Sequence, residues 1–260
     1  QYTGYPKNWK LDDWYPKNVS DIAQYLHATH QFDAVITEYV YLSSVLEALP
    51  DTVHKILDTH SVFTNRHQLY RKHNMQPSFF SVSETDELRG LKRSQSVIGI
   101  QTEETAWFAE RLPEQTCVTI GHLAHCADNR ICTTTQNTVL FFAGSAAMNK
   151  HALAWLLYRV WPRVREQCSH AELLLAGSIS SGIYEIDGIR CIPYVDSLNE
   201  LYRQTSIVVN PQQFGTGLSM KTIEALSFGK ALVSTSCGIR GLNNPPCRIA
   251  DEPAAFADHI

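Results

Sequence analysis

Residues 205–235 alternate strand, glycine turn, helix and strand, and no other stretch limits the fold as tightly. Thr205-Ser-Ile-Val-Val209 is a short apolar run, as a strand buried in a parallel sheet requires. Asn210-Pro-Gln-Gln-Phe-Gly215-Thr-Gly217 interrupts it, a helical stretch runs on to Gly229, and Ala231-Leu-Val-Ser-Thr235 resumes a strand. Parallel strands joined through a helix belong to α/β folds, with helices covering the sheet. The turn also carries chemistry. N–H groups at a helix start have no partner within the helix, and the helix dipole there favours negative charge. Gly215 and Gly217 let the backbone approach a ligand with no Cβ in the way. Lys221 and Glu224, three apart, project from one helix face. Donors, a cation and a carboxylate around one small space suit a phosphorylated sugar.

The same alternation fills the chain, whose 260 residues suit one large or two ordinary domains. The first half, 1–130, has strands expected at 33–37, 54–59, 96–100 and 116–120. Helices are expected at 19–30, 42–49, 62–73, 81–93 and 103–111. In the first of these Ile22, Tyr25 and Leu26 share a face; in the fourth Ser83 is the N-cap, with Glu84 and Glu87 in the first turns. Residues 121–137 lack any period and read as a linker. The second half, 137–260, has strands at 139–143, 171–176, 189–192, 205–209 and 231–235. A long helix is expected at 149–167 and a short one at 197–203. Residues 1–18 show no period and 251–260 read as a helix cut short, so the chain reads as a fragment trimmed at both ends.

Composition removes several function classes. A net charge of −4, with no basic cluster interleaved with aromatics, gives no nucleic-acid surface. No run of about 18 apolar residues offers a membrane span, and no signal peptide opens the chain. Seven scattered cysteines, Cys132 among them, form no C-x-x-C pair, which fits a reducing cytoplasm. His122, His125 and Cys126 lie close in sequence, but no second ligand pair follows at zinc-site spacing, so no metal site is expected. Phe142-Ala-Gly-Ser-Ala-Ala147 is not G-x-G-x-x-G, which argues against a dinucleotide dehydrogenase.

The order of motifs in the second half resembles the donor-binding domain of family-4-type retaining glycosyltransferases of the GT-B fold. The matching pieces are Phe141-Phe-Ala-Gly-Ser145 with Asn149, Leu173-Leu-Leu-Ala-Gly177, and Tyr194-Val-Asp-Ser-Leu-Asn-Glu-Leu-Tyr202. Val208-Val-Asn-Pro211, Gly215-Thr-Gly-Leu-Ser-Met-Lys-Thr-Ile-Glu-Ala225, Leu232-Val-Ser-Thr235 and Gly238-Ile-Arg-Gly-Leu242 complete them. In the first half, Lys55-Ile-Leu-Asp-Thr-His60 and the residues up to Arg66 look like the strand and loop that carry the family's acceptor-domain histidine. The family's first strand and its glycine-rich loop have no counterpart here, nor do its closing helices.

The resemblance implies two Rossmann-like domains, the N-terminal one incomplete, with a nucleotide-diphosphate-sugar donor in the cleft between them. It implies hexosyl transfer with retention to a carbohydrate or lipid-linked acceptor, as in polysaccharide biosynthesis. It also implies that no metal or other cofactor is required, and that the full-length protein is cytoplasmic with peripheral membrane association. The diphosphate would take N–H bonds at Gly217, Leu218 and Ser219, with Gly144, Ser145, Gly215 and Thr216 around it. Glu224 matches the second glutamate of the E-x7-E pattern, which meets the nucleotide ribose; a helix-surface carboxylate is the plainer reading. Thr216 replaces the first glutamate, and Ser145 stands where an arginine is usual. Lys221 would supply the missing positive charge, and His60 would position the sugar and polarise the reacting centre. Arg66 would reach phosphate; Tyr39 and Tyr41 would stack on an acceptor sugar or pack in the core. A binding module without catalysis and a sugar-nucleotide epimerase are the competing readings.

Overall fold

The computed structural model describes residues 8–124, 126 and 137–260. Expectations placed on 1–7, on His125 and on 127–136, which include Cys132 and much of the linker, lie outside the described residues. The chain forms two compact units, one of Gln1–Gly121 with Thr216–Leu218, the other of His122–Gly215 with Ser219–Ile260.

In the first unit, β1 (Ala34–Glu38), β2 (His54–Asp58), β3 (Ser96–Gly99) and β4 (Thr116–Thr119) form one parallel sheet in that order. Helices α1 (Val19–His30), α2 (His67–Lys72), α3 (Glu84–Leu91) and α4 (Thr102–Arg111) accompany it. Leu57 and Val97, paired across β2 and β3, are buried with Phe63, Phe80, Leu91 and Phe108. Each such side chain contributes about 1.5–3 kcal/mol by leaving water. The stretch expected as a helix at 42–49 is a 3-10 helix, Val40–Ala48. The expected face of α1 is not buried: Ile22, Tyr25 and Leu26 are all exposed.

The expected helix at 62–73 begins only at His67, and Glu87 is the reason. Ser83 caps α3 by accepting the Asp86 N–H, which orients the helix so that Glu87 points inward. The residue is 1% exposed, and its carboxyl accepts from the Phe63 N–H at 2.8 Å and the Thr64 hydroxyl at 2.5 Å. Those donors hold 63–64 extended, Thr64 bridges to Val82, and Asn65 takes a left-handed φ of 51°. Burial pushes the Glu87 carboxyl up to about 7. A raised carboxyl stabilises the fold below its ordinary 4.5 and loses that contribution as pH climbs through about 7. Glu87→Gln, which keeps an acceptor but cannot ionise, is therefore expected to gain on the native protein by about 1–3 kcal/mol between pH 5 and pH 8. Thermal unfolding at both pH values measures this, and an unchanged gap between the two proteins refutes it.

The second unit has a six-stranded parallel sheet. Its strands are β5 (Thr138–Phe142), β6 (Glu172–Ala176), β7 (Ile189–Ile192), β8 (Ile207–Asn210), β9 (Ala231–Ser234) and β10 (Arg248–Ile249). They lie in the order β10-β9-β8-β5-β6-β7. The helices are α5 (Ala147–Trp155), α6 (Trp161–Gln167), α7 (Leu198–Arg203), α8 (Met220–Ser227) and α9 (Pro253–Asp258). The strands alternate between two cores, as strands covered on both faces must. Phe141, Leu173 and Leu175 pack with Leu153, Leu156 and Trp161, while Leu140, Leu174 and Val208 pack with Leu201, Tyr202 and Ala225. The long helix expected at 149–167 is α5 and α6 joined by a π turn, Leu156–Val160. Pro162 has no N–H to continue the ladder, so the backbone widens just before it. Among the described residues no helix is long and apolar enough to cross a membrane.

Sheet order fixes where a ligand can enter the second unit. From β5 the chain winds outward through β6 and β7, then returns to the other side of β5 for β8, β9 and β10. The direction reverses between β5 and β8, and crevices for ligands open beyond the carboxyl ends of strands at such a point. Gly144-Ser145 follows β5 and the 211–219 turn follows β8.

Candidate functional site

Across this switch point the second unit brings several expected residues together. Lys221 lies in the first turn of α8 and donates from Nζ to Asn149 Oδ1 at 2.7 Å. Asn149, in the first turn of α5, donates from Nδ2 to the Gly144 carbonyl at 2.9 Å. The lysine of one loop–helix unit is thus tied to the glycine loop of the other. Its ammonium also lies 5.6 Å from the centre of the Phe141 ring. Burial pulls the Lys221 ammonium down to about 8, with Cys237 opposing the shift. Ser145 is exposed, and its N–H donates to Ser178 Oγ at 3.0 Å.

The turn before α8 is held by a residue that sequence reasoning left out of the site. Asn210 ends β8, is fully buried, and its Nδ2, with two N–H groups shared among three acceptors, lies 2.8–3.0 Å from Ser219 Oγ, Thr222 Oγ1 and the Gly238 carbonyl. Thr222 donates to the same carbonyl at 2.7 Å. Ser219 is the N-cap of α8, so this network fixes the start of the helix from the strand that precedes it. The one signal in the sequence was a polar residue closing an apolar strand just before proline. Arg240, in the glycine-rich tail, donates to the Gly215 carbonyl and holds the other end of the turn. Gly215 has φ +153°, and a Cβ there would lie 2.6 Å from Gln212 Nε2.

Glu224 projects from the middle of α8. Its Oε1 accepts from the Tyr202 hydroxyl at 2.9 Å, and burial pushes its carboxyl up while Tyr202 and then His122 oppose the rise.

Thr216, Gly217 and Leu218 cluster with the first unit. Gly217 has φ +76°, which a side chain rarely adopts, and a Cβ would lie 3.0 Å from the His60 carbonyl oxygen. Its N–H donates to Glu104 Oε1 at 2.7 Å. A carboxylate therefore occupies an amide expected to serve an anion. The Thr216 hydroxyl is buried without a hydrogen-bond partner.

His60 follows β2 in a left-handed conformation, φ 54°, and Tyr39, following β1, does the same at 63°. Bulky residues rarely hold such angles away from functional sites. The two rings stack at 4.5 Å, and Tyr39 stacks in turn on Tyr41 at 5.1 Å. His60 Nε2 lies 3.6 Å from Glu38 and 3.9 Å from Asp58, carboxylates at the ends of β1 and β2. Neither carboxylate was singled out in the sequence, although both fall where adjacent parallel strands end. Arg66 covers the Phe63 and Phe79 rings at 5.4 and 5.3 Å. No group of three or more possible metal ligands occurs among the described residues.

Residues 137–260 match the family described as glycosyl transferases group 1. An uncharacterized 44.6 kDa protein in the cps region of Klebsiella pneumoniae is 29% identical, over 48% of this chain and 37% of that protein. A mutant of S. aureus TarM, solved in complex with Fondaparinux, alpha-GlcNAc-glycerol and UDP, superposes with a TM-score of 0.69 at 12% identity. The match covers 94% of this chain and 51% of that one. Sucrose-phosphate synthase from Thermosynechococcus elongatus gives a TM-score of 0.65 at 14% identity, covering 94% and 68%. The chain thus spans little more than a third of the curated relative and about half of TarM. At such identities the solved structures speak for the fold alone. The parallel sheets, the switch-point turn and the solved structures agree on the fold: the chain has the GT-B architecture, and its residues 137–260 are similar to glycosyl transferases group 1.

Proposed function

We propose that this protein is a glycosyltransferase that moves a hexosyl group from a nucleotide-sugar to a hydroxyl of a saccharide or lipid-linked acceptor, with retention of configuration. The observation that carries the reading is the Lys221–Asn149–Gly144 chain of hydrogen bonds. It sets a cation beside the start of α8 at the sheet's switch point, where a diphosphate finds amides, dipole and positive charge together. TarM is a structural relative solved with UDP.

In the proposed step the donor's anomeric C–O bond to the diphosphate breaks while the acceptor oxygen bonds to the same carbon from the same face. The acceptor hydroxyl gives up its proton to the departing diphosphate. Negative charge grows on the leaving oxygen, and Lys221 with the N–H groups of Leu218 and Ser219 stabilises it, so the step asks for no metal. Glu224 accepts from the ribose, and His60 is assigned to the donor sugar. Gly144 and Ser145 border the phosphates on the β5 side. Reaction in the cytoplasm, with peripheral membrane contact for a lipid-linked acceptor, completes the proposal.

Incubation with UDP-, GDP- and ADP-sugars and saccharide acceptors tests it. The expected result is glycosylated product in step with released nucleotide. Released nucleotide without glycosylated product overturns transfer in favour of another reaction at the same site. Binding without turnover favours a non-catalytic module, a reading supported by Thr216 in the place of a carboxylate and by Glu104 on the Gly217 amide.

A further inference from the structure

We propose that Tyr202 is a positioning residue for Glu224, fixing the carboxylate so that one oxygen alone is presented to the nucleotide ribose. The inference rests on the nucleotide-sugar reading of the site and extends it to a residue buried behind the glutamate.

Tyr202 sits near the end of α7 and is fully buried. Its ring stacks on Phe228, just beyond α8, at 4.2 Å between centres and 11° between planes. Leu140, Leu174 and Val208 of the sheet close the core around it. A phenol held on that many sides has one place for its hydroxyl, and buried hydroxyls need a partner. The partner is Glu224 Oε1 at 2.9 Å. Once that oxygen accepts the phenol, Oε2 is left to accept from a ligand. A partly buried glutamate on a helix would otherwise lose rotamer freedom on binding, at a cost in affinity. Here the core supplies the order in advance.

The hydrogen bond also acts on charge. Burial favours the neutral carboxyl of Glu224, whereas the Tyr202 hydroxyl and His122 favour the carboxylate. A ribose hydroxyl donates best to the ionised form. Loss of the phenolic hydroxyl should therefore move the acid limb of binding to higher pH, with His122 as the remaining group that opposes protonation.

Tyr202→Phe keeps the ring and its stacking on Phe228 and deletes only the hydroxyl. The intact protein is titrated with UDP, GDP and ADP and with the 2′,3′-dideoxy form of each. The expected result is a preference for the ribose form in the native protein that shrinks about 3–10-fold in Tyr202→Phe. Affinity for the dideoxy form should hold, and the acid limb for the ribose form should rise. Parallel weakening of both forms, or an unchanged ratio and pH profile, overturns the proposal, because a purely structural tyrosine would affect them alike. Should Tyr202→Phe fail to fold, Phe228→Leu loosens the ring while leaving hydroxyl and carboxylate in place. It is expected to give the same selective loss in smaller measure, and an unchanged ratio overturns the proposal. If none of the six nucleotides binds the native protein, the nucleotide reading fails and takes this inference with it. Native binding without a change in the variants refutes the Tyr202 role alone.

Discussion

Lys221→Ala is expected to lower kcat by two to three decades while leaving the unfolding temperature nearly unchanged. Removing one preorganised donor from a developing oxyanion costs about 10²–10³ in rate. The residue is well placed for that role: it is tied to Asn149, so it need not be ordered during the reaction, and it is partly withdrawn from water. The charge is also titratable near neutrality. With the ammonium pulled down to about 8, a growing fraction of free protein is neutral as pH rises through that value. The sign follows directly: kcat/KM for the donor should fall on the alkaline side of about pH 8, since it reports the free enzyme. In kcat the same limb should lie at higher pH, because a bound diphosphate favours the charged form. Steady-state kinetics across pH 6–10 with a nucleotide-sugar measures both. A flat profile, or a Lys221→Ala variant with native turnover, removes the lysine from the mechanism.

The largest expected effect on stability is at Gly238. A Cβ there would lie 2.4 Å from Ser234 Oγ and 2.6 Å from Asn210 Nδ2, both buried and both hydrogen-bonded. Moving either side chain would break buried hydrogen bonds, so Gly238→Ala should cost about 2–3 kcal/mol, the upper part of the range for overpacking. For a unit of this size that lowers the melting temperature by roughly 4–10 °C. The displaced Asn210 would also loosen Ser219 at the start of α8, and nucleotide affinity should fall with stability. Gly229→Ala is the control, because a Cβ there meets nothing within 4 Å, although its φ of +64° carries a modest backbone cost. Calorimetry on both variants decides it: equal melting temperatures would show that the Asn210 network does not hold the turn.

Much of the fold was legible because parallel α/β units write themselves locally. Ile56, Leu57, Val97, Leu140 and Leu174 lie in short apolar runs that only a covered strand accommodates, and Ser83 and Ser197 announce the helices they cap. The misreadings are equally physical. Residues 62–66 carry no local sign that Glu87, more than twenty positions away, will take their donors. The π turn before Pro162 needs two helical segments to pack on one core before it is favourable. Strand β10 has two residues, too few to make a pattern, and exists only through pairing with β9.

The candidate site divides along the same line. Gly215, Gly217, Lys221 and Glu224 could be named from the sequence because glycine spacing and helix periodicity act over a few residues. The resemblance of their order to known glycosyltransferases added the chemistry. Which groups hold them could not be read that way. Asn149 reaches Lys221 across 72 positions, Tyr202 reaches Glu224 across 22, and Glu104 reaches Gly217 across 113. Hydrogen bonds of that separation depend on strand order, and the reversal between β5 and β8 is set by packing on both sheet faces rather than by any residue in the turn. The sequence by itself determined an α/β chain with a glycine turn at the start of a helix. Only the tertiary structure decided that the lysine would be anchored, the glutamate bonded to Tyr202 and the glycine amide already engaged, because distance along the chain carries no information about which groups meet in space.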